Sequence, residues 1–132
     1  MLILKQIMKH ISSIHNQTVK NVVALQAKAK ARKESGCFTA EGLRELQLAF
    51  IAGYEATQIY WCPEILNDGA FKSWITKFNL KSEVVSVSLE VYRKIVMRDS
   101  TEGVIGVLKQ KNNTLEDWQP KNSTPFILVL EA

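Results

Sequence analysis

Three short stretches of the 132-residue chain combine residue types that could do chemistry. Asn16 stands ahead of apolar Val19, Val22, Val23 and Leu25, so it can cap a helix whose first amides are left free for an anion. Lys20 lies in the first turn or just past it, where the helix dipole mildly disfavours a cation. A phosphate contact accounts for a lysine placed against that preference; an ordinary capped helix with a solvated lysine is the other reading. The second stretch, Phe38-Thr-Ala-Glu-Gly42-Leu-Arg44, runs a strand straight into a helix. Gly42 lets a ligand come close to the backbone, and Arg44 adds a donor beside the exposed amides. Glu41 could accept from a base or sugar edge, or cap the helix. The third stretch, Ser100-Thr-Glu-Gly103, is a polar turn that opens a strand.

Other chemistries are missing from the pattern. His10 and His15 share one N-terminal segment, so no Ser/His/Asp arrangement can be laid out around them. Cys37 and Cys62 form no CxxC or Cys/His spacing, which excludes a zinc site and leaves two free, partly buried thiols. Gly103-Val-Ile-Gly106 has neither the spacing nor the following helix of a phosphate or dinucleotide loop.

These residues need elements to hold them. The run from Asn16 through Lys28, Lys30, Arg32 and Lys33 to Gly36 predicts one N-capped helix with a basic last turn and a glycine stop. Cys37–Ala40 reads as a short strand, and Leu43, Leu46, Ala49 and Phe50 recur at helical spacing up to Gly53. Thr57–Cys62 is rich in β-formers and ends at Pro63. Phe71, Trp74, Ile75 and Phe78 make an amphipathic stripe, read as core rather than as a stacking platform. Val84-Val85 is a brief strand, and Ser88 can cap a helix carrying Val91, Tyr92, Ile95 and Val96. Gly103–Leu108 has the pattern of a buried strand whose glycines suggest close backbone approach. Residues 109–124 are polar loop and linker, and Phe126–Leu130 is one more apolar strand. Alternating helices and strands predict an α/β domain with helices on both faces of a sheet.

At 14.9 kDa there is room for one domain with a real core, and not for a cofactor domain plus a substrate domain. Apolar residues at 46% and charged residues at 23% are ordinary for a globular protein, neither disordered nor membrane-like. Met1-Leu-Ile-Leu-Lys5 is too short for a signal or a membrane span, so the expected location is the cytoplasm, with reduced thiols. The net charge of +4 is unevenly spread: residues 1–35 hold seven Lys/Arg and one acid. Such an end would steer an anionic partner, and a solvated basic helix face is the plainer reading.

In this order the segments resemble the N-terminal domain of the SpoU (TrmH-like) RNA 2′-O-ribose methyltransferases. The resemblance lies in Ser12–Asn16 with Val19-Lys20, the basic Lys28–Lys33 end, Phe38–Gly42, and Arg44 and Glu45 with Ala49 and Gly53. Val91–Ile95, Thr101–Val107 and Phe126–Leu130 extend it. Two departures stand out: Gln17 replaces a frequent proline, and a Thr-Glu-Gly turn with Glu102 replaces Pro-Gln-Gly.

The resemblance implies a three-layer α/β/α sandwich with a mixed sheet, L30e-like, over residues 1–121. It makes 122–132 the linker and first strand of a truncated methyltransferase domain. It implies contacts to ribosomal or transfer RNA near Asn16, Lys20, Arg32, Glu41, Gly42 and Arg44, with Lys20, Arg32 and Arg44 on phosphates. The complete enzyme would use S-adenosylmethionine and work as a homodimer. This chain, lacking the catalytic motifs, would bind no cofactor or metal and catalyse nothing alone. The alternatives are a stand-alone ribonucleoprotein component of the L30e, kink-turn-binding type, and a dimerisation module using the aromatics at 71–78.

Overall fold

The computed structural model describes residues 9–98 and 102–131, so the N-terminal run and Ser100-Thr101 of the polar turn lie outside the described residues. The chain order is β1 (Lys9–Ile11), α1 (Gln17–Ala27), α2 (Ala29–Ser35), β2 (Cys37–Glu41), α3 (Leu43–Ile51), β3 (Ala56–Trp61), α4 (Asp68–Ile75), β4 (Glu83–Val87), α5 (Leu89–Ile95) and β5 (Val104–Lys109). The strands form one sheet in the order β1-β4-β3-β5-β2. β1 and β3 run parallel to β4, while β5 runs antiparallel to both β3 and β2, so the sheet is mixed.

Alternation along the strands divides the core in two. Tyr60 and Cys62 from β3 and its end, Ile105 and Val107 from β5, and Val85 and Val87 from β4 face α1 and α5, meeting Val19, Val22, Leu25, Val91, Tyr92 and Ile95. Ile59, Trp61, Val104 and Leu108 face the other way, onto Leu46 of α3 and Phe71, Trp74 and Ile75 of α4. This is the three-layer α/β/α sandwich with a mixed sheet that the sequence implies. Phe71 and Trp74 are buried in its second core, where Phe71 stacks on Trp61 at 4.5 Å, so the aromatic stripe is core. Gly106 is where α3 comes closest to the sheet: a Cβ there would lie 2.6 Å from Leu46 Cδ2.

One sequence expectation is corrected, the tail stands outside the sheet, and one strand is added. The single helix expected from Asn16 to Gly36 is two helices, broken at Lys28, whose extended backbone (φ −124°, ψ 116°) ends α1 and starts α2. The basic run therefore belongs to α2, which buries none of its residues and stops at Gly36. Phe126–Leu130 adopts no strand; these residues are exposed and join no sheet among the described residues. A short strand went unseen in the sequence: β1 is three residues long and pairs only with β4. The remaining elements fall within a few residues of their predicted spans.

Candidate nucleic-acid interface

The register sorts the loops to two ends of the sheet. Where β2, β3 and β4 finish and β5 begins lie Ser12–Asn16, the Glu41-Gly42 junction, Cys62–Asn67 and residues 96–103. Asn16, Lys20, Glu41, Gly42 and Arg44 gather at this end. Arg32 does not: α2 leads to the opposite end, where Gly36 accepts from the Gln110 amide beyond β5.

Asn16 caps α1 as expected, its side-chain oxygen accepting from the Thr18 amide at 2.8 Å. Lys20 is exposed on the first turn, and its ammonium group makes no hydrogen bond or ion pair among the described residues. Arg44, on the first turn of α3, is likewise exposed, and its guanidinium is unpaired among them. Arg32 is committed elsewhere. Its Nη1 donates to the Leu25 carbonyl at 2.7 Å and the Gln26 carbonyl at 3.2 Å, closing the C-terminal end of α1.

At the junction the chain turns from β2 into α3 through Gly42, with φ 100° and its amide on the Val104 carbonyl at 3.0 Å. A side chain there would be strained by that φ, and its Cβ would lie 2.7 Å from Glu45 Oε2 and 2.8 Å from Glu102 Oε2. Glu102 accepts from the Leu43 amide at 2.5 Å, so a carboxylate already holds the start of α3. Glu41 takes neither role left open for it in the sequence. Its Oε1 accepts from the backbone amides of Met97 at 2.8 Å and Arg98 at 3.4 Å, tying the segment after α5 to the end of β2. Arg98 in turn reaches Glu45 Oε1 at 3.5 Å. A cleft of about 520 Å³ opens beside this knot between Glu64, Ile65, Arg93, Met97 and Arg98. Behind it, burial pushes the Cys62 thiol up, which keeps it protonated and inert at neutral pH.

The junction is thus a preset backbone bend held by three carboxylates, with free cations at its margins. An incoming phosphate would meet Lys20 and Arg44 before any helix amide, because Glu102 occupies the amide of Leu43. The sequence missed Arg98, which reaches the site from a position far along the chain with no local pattern to mark it.

Among the described residues, no three or more His, Cys, Asp or Glu are grouped to hold a metal ion, and no helix is long and apolar enough to cross a membrane.

A three-layer sandwich with one mixed sheet and a strand-to-helix bend at Gly42 defines the class as an α/β sandwich module. The chain belongs to the MRM3-like substrate binding domain family, whose model matches residues 16–106. It is similar in structure to an RNA 2′-O ribose methyltransferase at 28% identity, over 85% of this chain and 42% of that one, with a TM-score of 0.71. An rRNA methyltransferase from Sinorhizobium meliloti shares 26% identity over 86% of this chain and 41% of its own, with a TM-score of 0.67. The SpoU methyltransferase AviRb from Streptomyces viridochromogenes, in complex with AdoMet, shares the fold at 18% identity, over 76% of this chain and 36% of that one, with a TM-score of 0.61. This chain therefore spans less than half the length of these structures. No curated protein sequence matches it significantly.

Proposed function

We propose that this chain captures RNA for a SpoU-type, S-adenosylmethionine-dependent 2′-O-ribose methyltransferase acting on ribosomal or transfer RNA in the cytoplasm. One observation carries the reading: a substrate-binding-domain family model matches residues 16–106, and structures similar over most of this chain are RNA methyltransferases. Residues 122–132 would be the linker and first strand leading to a methyltransferase domain, where the dimer contact would also lie. The exposed apolar run Phe126–Leu130 supports this, because it carries the side chains of a buried strand with no partner among the described residues.

The methyl donor would bind in that further domain. Gly103 and Gly106 belong to a buried strand and its approach rather than to an open glycine-rich loop. This chain's contribution is positioning: Lys20 and Arg44 on phosphates, with Asn16 and the Glu41-Gly42 bend shaping the surface on which an unstacked segment lies.

Titration of single-stranded and looped RNA against the chain tests this. Lys20→Glu with Arg44→Glu should weaken binding about 10-fold and lower the slope of log K against log salt by about 0.7 for each phosphate no longer neutralised. RNA affinity unchanged by this pair, or no RNA affinity in the unaltered chain, overturns the reading.

A further inference from the structure

The opposite end of the sheet carries more lysines and fewer acids, and a cleft that RNA capture at the Gly42 bend does not use. There β2, β3 and β4 begin and β5 ends, and a cleft of about 930 Å³ lies between the C-terminal end of α3 and the segment joining α4 to β4. Its wall is aromatic and apolar, with Phe50 against Phe78 at 5.0 Å and with Tyr54 in edge contact with Phe38 at 5.5 Å. Lys77 and Lys81 stand in its lining, both exposed, and their ammonium groups make no hydrogen bond or ion pair among the described residues. Ser82 also lines it, 6% exposed, and its hydroxyl is a buried polar atom with no protein partner among them.

Charge reinforces the geometry. α2 brings Lys28, Lys30 and Lys33 to this end, and Lys109 and Lys111 leave β5 there. The nearby acids are few: Glu55, in the cleft lining, is bound to Lys109 at 3.0 Å and also feels the charge of Lys81, Glu34 pairs with Lys30, and Glu83 accepts from Gln58. At the Gly42 end, by contrast, Glu41, Glu45, Glu64 and Glu102 offset Lys20, Arg44, Arg93 and Arg98. Helix dipoles explain some of the cations: Lys111 donates to the Ala52 carbonyl at the end of α3 and lies 4.4 Å over the Tyr54 ring. They do not explain Lys77 and Lys81, whose ammonium groups bond to no carbonyl among the described residues.

An aromatic wall, a rim of uncommitted ammonium groups and an unspent hydroxyl suit a group that is flat, polar-edged and anionic. We propose that this cleft is a second RNA contact that takes one unstacked nucleotide, its base against the Phe50–Phe78 wall and its phosphate on Lys77 and Lys81. The proposal rests on the chain being an RNA binder. It adds that most of the electrostatic attraction acts at the end of the sheet away from the Glu41-Gly42 bend.

The test uses the full chain and a short fluorescein-labelled single-stranded RNA, with a second copy carrying 4-thiouridine for photocrosslinking. Lys77→Glu with Lys81→Glu should lower affinity about 10-fold or more and reduce the salt slope by about 1.4, at about 0.7 for each single-strand phosphate set free. Thiouridine adducts should map to peptides spanning residues 50–56 or 77–82. Melting temperatures identify a misfolded variant, in which case Lys77→Ala with Lys81→Ala, which removes charge without reversing it, gives the answer. If the double-lysine variant binds RNA like the unaltered chain while Lys20→Glu with Arg44→Glu does not, this proposal fails and the capture function stands. If the unaltered chain binds no RNA, both fail. If a poly-glutamate peptide competes equally well and no adduct forms at the cleft, the surface docks an acidic protein segment and the nucleotide proposal is overturned.

Discussion

Gly42 and Glu102 show how a single residue type sets the candidate interface. The φ of 100° and the two carboxylate oxygens within 2.8 Å of any added Cβ make glycine the one residue that fits without displacement. Gly42→Ala should lower stability by about 1–3 kcal/mol, read as a shift in urea midpoint. Glu102→Ala removes the acceptor for the Leu43 amide and should cost about 1 kcal/mol, as loss of a helix cap does. The same substitution removes a negative charge near Arg44, so RNA affinity should rise while stability falls, a pairing that separates the electrostatic role from the structural one. Cys62 gives a pH prediction. Its thiol is pushed up by burial, so its contribution is intact below the ordinary thiol range and is lost as pH rises through the folded value. Ellman's reagent at neutral pH should leave Cys62 unlabelled in the native chain and label it fully in denaturant.

At the scale of elements, the helix break at Lys28 changes what Arg32 does. With α1 ending at Ala27 and the chain bending at Lys28, the Arg32 guanidinium meets the last carbonyls of α1. Arg32→Ala should therefore destabilise the chain by about 1–2 kcal/mol, whereas Lys20→Ala should leave its melting temperature unchanged. Equal effects of the two would place Arg32 back among the solvated cations. Little in the sequence marks this break: Lys28-Ala-Lys30-Ala is good helix material, and only the absence of apolar residues at helical spacing after Leu25 hints that the core face has ended. β1 escaped notice for a similar reason, since three residues with a single buried side chain carry no period. The long-range knot of Glu41 with Met97 and Arg98 has no sequence signature, because it depends on how α5 and β2 come to lie side by side. What could be read were the caps at Asn16 and Ser88, the alternating strands and the buried aromatic stripe. Each of these is fixed by local geometry or by a one-sided core.

At the scale of the whole molecule, the apolar run at 126–130 can be judged against the sandwich. All described residues from 110 to 131 are exposed, and those after Lys111 make only hydrogen bonds within their own segment, such as Thr114 with Asp117. Both cores close without them: the last core residue is Leu108, whose strand is already paired on both sides by β2 and β3. Two consequences follow from one cause. Ending the chain after Lys111 should leave the melting temperature within about 2 °C, because no buried area is removed. The longer chain presents Phe126, Leu128 and Leu130 at 95%, 71% and 82% exposure, a short β-prone run with no charge or proline inside it. Such a run seeks an edge or another copy of itself. Sedimentation of the full chain should therefore show concentration-dependent association that Leu128→Asp abolishes, while the chain ending at Lys111 stays monomeric. If the shortened chain melts well below the full one, the tail is part of the fold and the boundary between sandwich and linker lies further on. If it melts alike but still associates, the contact lies on the sandwich itself, where Ile51 at 72% exposure would be the first residue to replace.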